Sequence, residues 1–144
     1  MVTKEILKQY VDIQKEIEEI KEKIQKIEKQ IEKMQKETVI DSVKGGYGGI
    51  QHFRIEGIAY PDYTQKITLL AKRKATLNSL ELQLLEILND IERFINTLDD
   101  SRMRRIINLR FIEGLSWNEV ANQIGGGNTE DSIRKAFTRF MDKQ

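Results

Sequence analysis

Cysteine is absent from the 144-residue sequence, and histidine occurs once, at His52. These absences exclude disulfide scaffolds, thiolate or histidine-rich metal sites, cysteine nucleophiles and histidine-based triads. No apolar run approaches the roughly 20 residues that a membrane span needs, and the lysine- and glutamate-rich start is not a signal peptide. We therefore expect a cytoplasmic protein without a cofactor or a membrane partner, and not an enzyme.

A strong excess of charge of either sign is also lacking. Lys and Arg total 24 against 23 for Asp and Glu, so the overall charge does not point to any class of partner. A nucleic-acid-binding surface would have to come from the local placement of charge. The apolar fraction of 39% is ordinary for one or two small folded domains.

The first part of the chain has apolar residues at alternating gaps of four and three, the spacing of a heptad seam. The residues between them are almost all Lys, Glu or Gln, without glycine or proline. This pattern predicts one helix from about Thr3 to Glu37 with a solvated outer face. The seam comprises Ile6, Tyr10, Ile13, Ile17, Ile20, Ile24, Ile27, Ile31 and Met34.

A second heptad repeat predicts a helix from about Asp62 to Leu98, with Asp62 as its N-cap. The two helices, similar in length, should form a long antiparallel coiled-coil hairpin. The second helix has a wider apolar face than one partner helix covers, because it adds Leu69, Leu82, Leu85, Leu88 and Ile95. Two partners are about equally expected to cover this apolar face: the same helix of another protomer, which gives a homodimer, or the C-terminal domain.

The connector, residues 38–61, differs in composition from both helices. Two groups of β-favouring residues flank a glycine-rich stretch at 45–49: Val39, Ile40 and Val43 before it, and Phe53, Ile55 and Ile58 after it. They predict a short β-hairpin. The glycines lack the Gly-Lys-Ser/Thr ending of a Walker loop, so we interpret them as a turn and not as a phosphate site.

A new domain is predicted from Asp99, where the heptads stop and arginine becomes frequent. Six of the nine arginines lie in residues 99–144. We therefore divide the chain into a helical hairpin, residues 1–98, and a C-terminal domain, residues 99–144. Three helices are predicted in that domain: Ser101 to Glu113, Ser116 to Ile124, and a last helix capped by Asn128 or Thr129 that extends to about Asp142.

Local signals define the turns between these three helices. Gly114 suits the left-handed position that ends the first helix. Ser116 and Glu119 have the spacing of a capping box at the start of the second. Residues 125–128, Gly-Gly-Gly-Asn, predict a turn that only glycine adopts at low cost. A helix, a glycine-containing turn and a second helix, with the small Ala121 where the two cross, is the helix-turn-helix arrangement.

The stretch from Arg110 to Ala121, Arg-Phe-Ile-Glu-Gly-Leu-Ser-Trp-Asn-Glu-Val-Ala, resembles region 4 of bacterial sigma factors. The resemblance continues through 132–135, Ser-Ile-Arg-Lys, and Arg139, and covers about 45 residues. The whole layout is similar to small phage-encoded regulators of the ArpU and RinA kind. The resemblance implies a DNA-binding transcriptional regulator of the phage or prophage late-gene type, with double-stranded DNA as its partner and contact with RNA polymerase left open.

In a helix-turn-helix, the last helix enters the major groove and its solvent-facing residues contact base edges. With Ile133, Phe137 and Phe140 facing inward, six residues are predicted to face DNA: Glu130, Asp131, Arg134, Lys135, Thr138 and Arg139. Two other functions stay open at this point. One is a phage DNA-packaging adaptor similar to a terminase small subunit; the other is a protein that binds RNA polymerase or a sigma factor without binding DNA.

Overall fold

The chain is mainly helical. The structure, a computed structural model, describes the backbone of residues 1–45 and 60–144 and the side chains of residues 1–37 and 62–144. No β-strand occurs in these described residues. The helices are, in chain order, α1 (Lys4–Gly45), α2 (Tyr60–Thr97), α3 (Ser101–Ile107, continued by a π-helical turn over Asn108–Ile112), α4 (Trp117–Ile124) and α5 (Glu130–Asp142).

The heptad seam predicted in α1 is buried along most of its length. The first turn differs from the prediction, since Leu7 is fully buried where Ile6 is only half-buried. Met34, at the other end, is half-buried. Burial therefore follows the alternating gaps of four and three through the middle of the helix, at Tyr10, Ile13, Ile17, Ile20, Ile24, Ile27 and Ile31.

The β-hairpin predicted for residues 38–61 is not supported. Helix α1 continues to Gly45, eight residues beyond the predicted end at Glu37, so the first predicted strand is helical. The β-branched residues in this part lower helix propensity only slightly, and Gly45 is the first residue after Glu37 with a strong tendency to end a helix. The second predicted strand and most of the glycine-rich stretch lie outside the described residues.

The boundaries of α2 are close to those predicted, although its cap is different. The helix begins at Tyr60, which places Pro61 and Asp62 inside the first turn, so the prediction that Asp62 is the N-cap was wrong. Proline is favoured in the first turn because its missing N–H has no partner to lose there. Asp62 instead lies 3.9 Å from Lys66 one turn later.

None of the helices in the described ranges is long and apolar enough to cross a membrane.

The chain forms two compact units. One unit comprises Ile17–Leu80, and the other comprises Met1–Glu16 together with Glu81–Gln144. In the first unit, the Gln35 side-chain amide near the end of α1 donates to the Tyr63 hydroxyl near the start of α2, at 3.1 Å. A contact between the end of α1 and the start of α2 is expected if the two helices form an antiparallel hairpin.

The second unit combines the start of α1 and the end of α2 with all of α3, α4 and α5. One apolar cluster runs through all of these elements, so the core continues across the boundary that we predict at residue 99. Outside this core, the Lys4 ammonium at the start of α1 donates to Asp142 at the end of α5, at 2.6 Å. The fully buried side chains in the cluster are Leu7, Ile91, Ile106, Ile107, Val120 and Ile133.

The additional apolar residues of α2 have two different environments. Leu88 and Ile95 are half-buried and pack against the core cluster of their unit. Leu82 and Leu85 are 65% and 54% exposed, and Leu69, in the other unit, is 40% exposed. The C-terminal helices therefore belong to the same core as part of the wide apolar face, and another part faces solvent.

Replacing Leu7 with alanine should destabilise the protein strongly, because Leu7 is completely buried in the core that joins α1 to the C-terminal helices. We expect the free energy of unfolding in urea to fall by about 3 kcal/mol. The matched variant, Leu69→Ala, truncates a partly exposed leucine and should lose less than about 1 kcal/mol. Equal losses in the two variants would contradict the described core.

Candidate nucleic-acid interface

The turn before α4 is stabilised by Ser116, as predicted. The Ser116 hydroxyl accepts a hydrogen bond from the Glu119 backbone N–H at 3.2 Å. The second half of the predicted capping box is different. The Glu119 carboxylate accepts from the Ser116 hydroxyl itself, at 3.0 Å, and not from the Ser116 backbone. The cap still satisfies an N–H group that has no partner within the helix.

The end of α3 is wider than the α-helix predicted from the sequence. Glu113 N–H donates to Asn108 C=O at 2.9 Å, and Leu115 N–H donates to Leu109 C=O at 3.0 Å. Gly114 has a φ of +74°, the left-handed conformation expected for it. The Arg110 guanidinium donates to the Leu115 carbonyl at 2.8 Å and lies 5.0 Å from the centre of the Trp117 ring, so Arg110 holds the turn closed.

An aromatic cluster fixes α4 and α5 against α3. The rings of Phe111 and Phe137 are 5.1 Å apart between centroids, and those of Trp117 and Phe137 are 5.4 Å apart. Phe111 and Trp117 meet edge to face at 6.1 Å. Such pairs add stabilisation beyond the area that they bury. Because each ring comes from a different element, the cluster fixes the position of α5 in the unit.

The turn between α4 and α5 uses three consecutive glycines with positive φ. Gly125, Gly126 and Gly127 have φ values of +72°, +66° and +76°, which L-residues with a Cβ adopt only with strain. Asn128 closes the turn, since its side-chain N–H donates to Gly125 C=O at 2.6 Å. Its side-chain oxygen accepts from Arg102 at 3.0 Å. The turn is thus connected directly to α3.

A capping box begins α5. The Thr129 hydroxyl accepts from Ser132 N–H at 3.2 Å, and the Ser132 hydroxyl accepts from Thr129 N–H at 2.9 Å. Of the two caps left open by the sequence, Thr129 is therefore the one used. Glu130 and Asp131 lie in the first turn, where negative charge is favoured by the helix dipole.

One face of α5 is buried, and the opposite face is exposed. Ile133, Phe137 and Met141 are buried in the core cluster, and Phe140 is partly buried against it. Five of the six residues predicted to face DNA are exposed, and Thr138 is half-buried. We refer to these six residues as the outer face of α5: Glu130, Asp131, Arg134, Lys135, Thr138 and Arg139.

Ion pairs connect the charged residues in the first turns of the outer face. Asp131 accepts from Lys135 at 2.9 Å and from Arg134 at 3.4 Å. Arg134 also lies 3.9 Å from Glu130. The hydrogen bond from Lys135, followed by its positive charge, lowers the pKa of Asp131 below its ordinary value. Asp131 is therefore ionised at neutral pH, and both cations have a negative partner on their own helix.

Arg139 differs from the two cations before it. Among the side chains that the structure describes, none forms a hydrogen bond or an ion pair with Arg139. Asp142, one turn further along α5, is bound by Lys4. This hydrogen bond to Asp142 is also the main reason that the pKa of Lys4 is raised. The Arg139 guanidinium is thus available to an external anion.

The arginines of α3 contact the protein itself. Arg104 donates to the Leu98 carbonyl at the end of α2, and Arg105 donates to the Gln123 carbonyl in the last turn of α4 at 3.3 Å. Arg102 likewise contacts Asn128 in the turn before α5. The three arginines thus connect α3 to the residue that follows α2, to the last turn of α4 and to the turn between α4 and α5. The high arginine content of this stretch is therefore explained in part by contacts to helix ends.

Sequence reasoning missed several of these contacts. The box formed by Thr129 and Ser132 has a hydroxyl where the usual pattern has Glu or Gln, so a search for hydroxyl pairs three residues apart would have found it. The Arg102–Asn128 contact joins residues that are 26 positions apart in the sequence, and no local sequence pattern predicts such a contact. The ion pairs of Asp131 could have been predicted from the sequence, because residues three and four positions apart lie on the same face of a helix.

Loss of the α5 cap should destabilise the C-terminal helices. Thr129→Ala removes the oxygen that accepts from Ser132 N–H, and we expect the free energy of unfolding to decrease by about 1 kcal/mol. Thr129→Ser retains a hydroxyl and should stay within about 0.5 kcal/mol of the wild type. Urea unfolding followed by circular dichroism measures both variants; a serine variant as unstable as the alanine variant would contradict the assigned cap.

The chain was also compared with known proteins. No family model, no curated protein and no solved structure matches it. These comparisons therefore show no family for the chain.

Proposed function

We propose that this protein is a sequence-specific DNA-binding transcriptional regulator in which α4, the glycine turn and α5 act as a helix-turn-helix. The observation that carries the proposal is the division of α5 into a buried apolar face and an exposed face with charged groups of both signs. A helix of this kind, seated on a rigid core, presents base-contacting side chains to the major groove without reorganisation. The resemblance of the C-terminal domain, residues 99–144, to sigma region 4 supports the same function.

The five exposed residues of the outer face of α5 each have a role in this proposal. Arg134 and Lys135 donate to guanine O6 and N7, and the carboxylate of Asp131 or Glu130 accepts from the cytosine amine. Arg139 contacts the phosphate backbone, because it has no acidic partner among the described side chains and lies further along the helix. The acids at the start of α5 repel phosphates, which favours recognition of sequence over general attraction to DNA.

The regulator is proposed to act as a homodimer, since a second reader on the same site increases the effective affinity of a weakly charged surface. The exposed leucines of α2, Leu82 and Leu85, support a contact with a second copy. The late-gene role in a phage or prophage, and any contact with RNA polymerase, follow from the family resemblance alone.

The DNA-binding proposal predicts that Arg134→Ala and Lys135→Ala each weaken binding to a target duplex by about tenfold, since a lost base contact costs on the order of 1–3 kcal/mol. The target is first selected from a randomised duplex pool with the wild-type protein, and affinity is then measured by gel shift. Arg93→Ala is the control, because Arg93 is an exposed arginine that pairs with an aspartate three residues earlier, Asp90 at 3.6 Å, and lies on α2.

Two results would contradict the proposal. If both α5 variants bind as tightly as the control, the outer face of α5 does not contact DNA. If the wild-type protein shows no salt-dependent affinity for any duplex, the chain does not bind DNA, and the interaction with RNA polymerase or a sigma factor becomes the better hypothesis.

The dimer is tested by light scattering coupled to size-exclusion chromatography. We expect twice the 16.8 kDa mass of the chain for the wild type and a shift towards the monomer for Leu82→Asp with Leu85→Asp. Both leucines are exposed, so the double variant should still fold. A monomeric wild type at micromolar concentration would exclude the dimer, and a ring of many subunits would favour the packaging adaptor.

A further inference from the structure

In the first two turns of α5, the cationic side chains form ion pairs with acidic side chains of the same helix. Asp131 is the shared acceptor: its two carboxylate oxygens lie 2.9 Å from the Lys135 ammonium and 3.4 Å from the Arg134 guanidinium. Glu130 is a weaker partner, at 3.9 Å from Arg134. All four side chains are between 52% and 61% exposed, so the network lies on the surface that DNA would approach.

This network changes what a phosphate meets at the surface. Exposed ion pairs are weak, so a duplex can displace Asp131 from Lys135 and Arg134. The carboxylate nevertheless remains within a few ångströms of both cations and repels phosphate oxygens. A duplex that contacts this position only through its phosphates therefore gains little binding free energy there. Arg139, which has no described ion pair, is left as the main phosphate-binding residue of the outer face.

A duplex with suitable bases meets a different surface. A cytosine amino group in the major groove is a donor and can replace the N–H groups that Asp131 gives up. Arg134 and Lys135 are then free to donate to guanine O6 and N7, which are acceptors without a formal charge. The ion pairs are thus exchanged for base contacts only where the groove offers a guanine to the two cations and, in a neighbouring base pair, a cytosine amino group to Asp131.

We propose that Asp131 is a specificity-determining residue that suppresses binding to non-target DNA through the negative charge that it places beside Arg134 and Lys135, and that accepts from a cytosine amino group at target sites in which this cytosine lies in a base pair next to the guanine. This inference rests on the proposed DNA-binding function. It goes beyond that function because it assigns the discrimination between target and non-target duplexes to one carboxylate instead of to the outer face as a whole.

The test compares Asp131→Asn with Asp90→Asn, which makes the same change of charge at an exposed aspartate that pairs with an arginine three residues later on α2. Binding to a labelled random-sequence duplex of about 30 base pairs is measured by fluorescence anisotropy at several KCl concentrations. We expect Asp131→Asn to bind about tenfold more tightly than the wild type at about 50 mM salt, and the salt slope to steepen by about one phosphate contact. Asp90→Asn should change the affinity less than about twofold.

The outcomes separate this inference from the function on which it rests. If the two variants gain the same affinity, the effect is one of net charge and Asp131 has no special role, although DNA binding stands. If neither variant nor the wild type binds the duplex, both the function and the inference are overturned. A lower affinity for Asp131→Asn than for the wild type would also overturn the inference.

A second measurement tests the base chemistry directly. Wild-type protein and Asp131→Asn are each used to select duplexes from a randomised pool, and the selected sequences are compared. We expect the wild type to enrich sites with two successive G·C pairs, one read by the cations and one whose cytosine amino group faces Asp131, and the variant to keep the first pair but lose the preference at the second. Identical preferences in the two selections would overturn the role assigned to the carboxylate. Thermal unfolding by circular dichroism verifies that the variant is folded.

Discussion

The apolar core shared by the ends of the long helices and the C-terminal helices is the constraint on which the rest of the account depends. Leu7 and Ile91 from the long helices are fully buried in the same cluster as Ile106, Val120 and Ile133. Because Ile133 and Phe137 are held in this core, the opposite side of α5 must face outward. The orientation of the charged residues is thus a consequence of packing, and the cap at Thr129 and the three-glycine turn fix where the helix begins.

The parts of the fold that could be predicted are those with a regular pattern. The alternating gaps of four and three gave the seam of α1, and the signals at Gly114, Ser116 and residues 125–127 located the turns of the C-terminal helices. The strand predicted at Val39 to Val43 was wrong, because weak β propensity did not outweigh the continuation of a long helix. The π-helical turn and the Arg102–Asn128 contact depend on tertiary packing, which no local pattern encodes.

The candidate site could be predicted as a set of residues but not as an electrostatic arrangement. The outward position of five of the six residues follows from the inward position of Ile133 and Phe137. What the sequence did not provide was the balance of charge within that set, in which Asp131 binds two cations and Asp142 is bound by Lys4. Under the proposed DNA-binding function, a surface of this kind would favour discrimination between sequences over strong general attraction to DNA.

Amide chemical-shift mapping can decide whether the outer face of α5 contacts duplex DNA, as we propose. An isotope-labelled sample is titrated with a mixed-sequence duplex at low salt, and the shifts are assigned residue by residue. If this face binds DNA, the largest shift changes will lie between Glu130 and Arg139, with smaller changes along α4. Changes confined to α1 and α2, or no changes at saturating duplex, would contradict it.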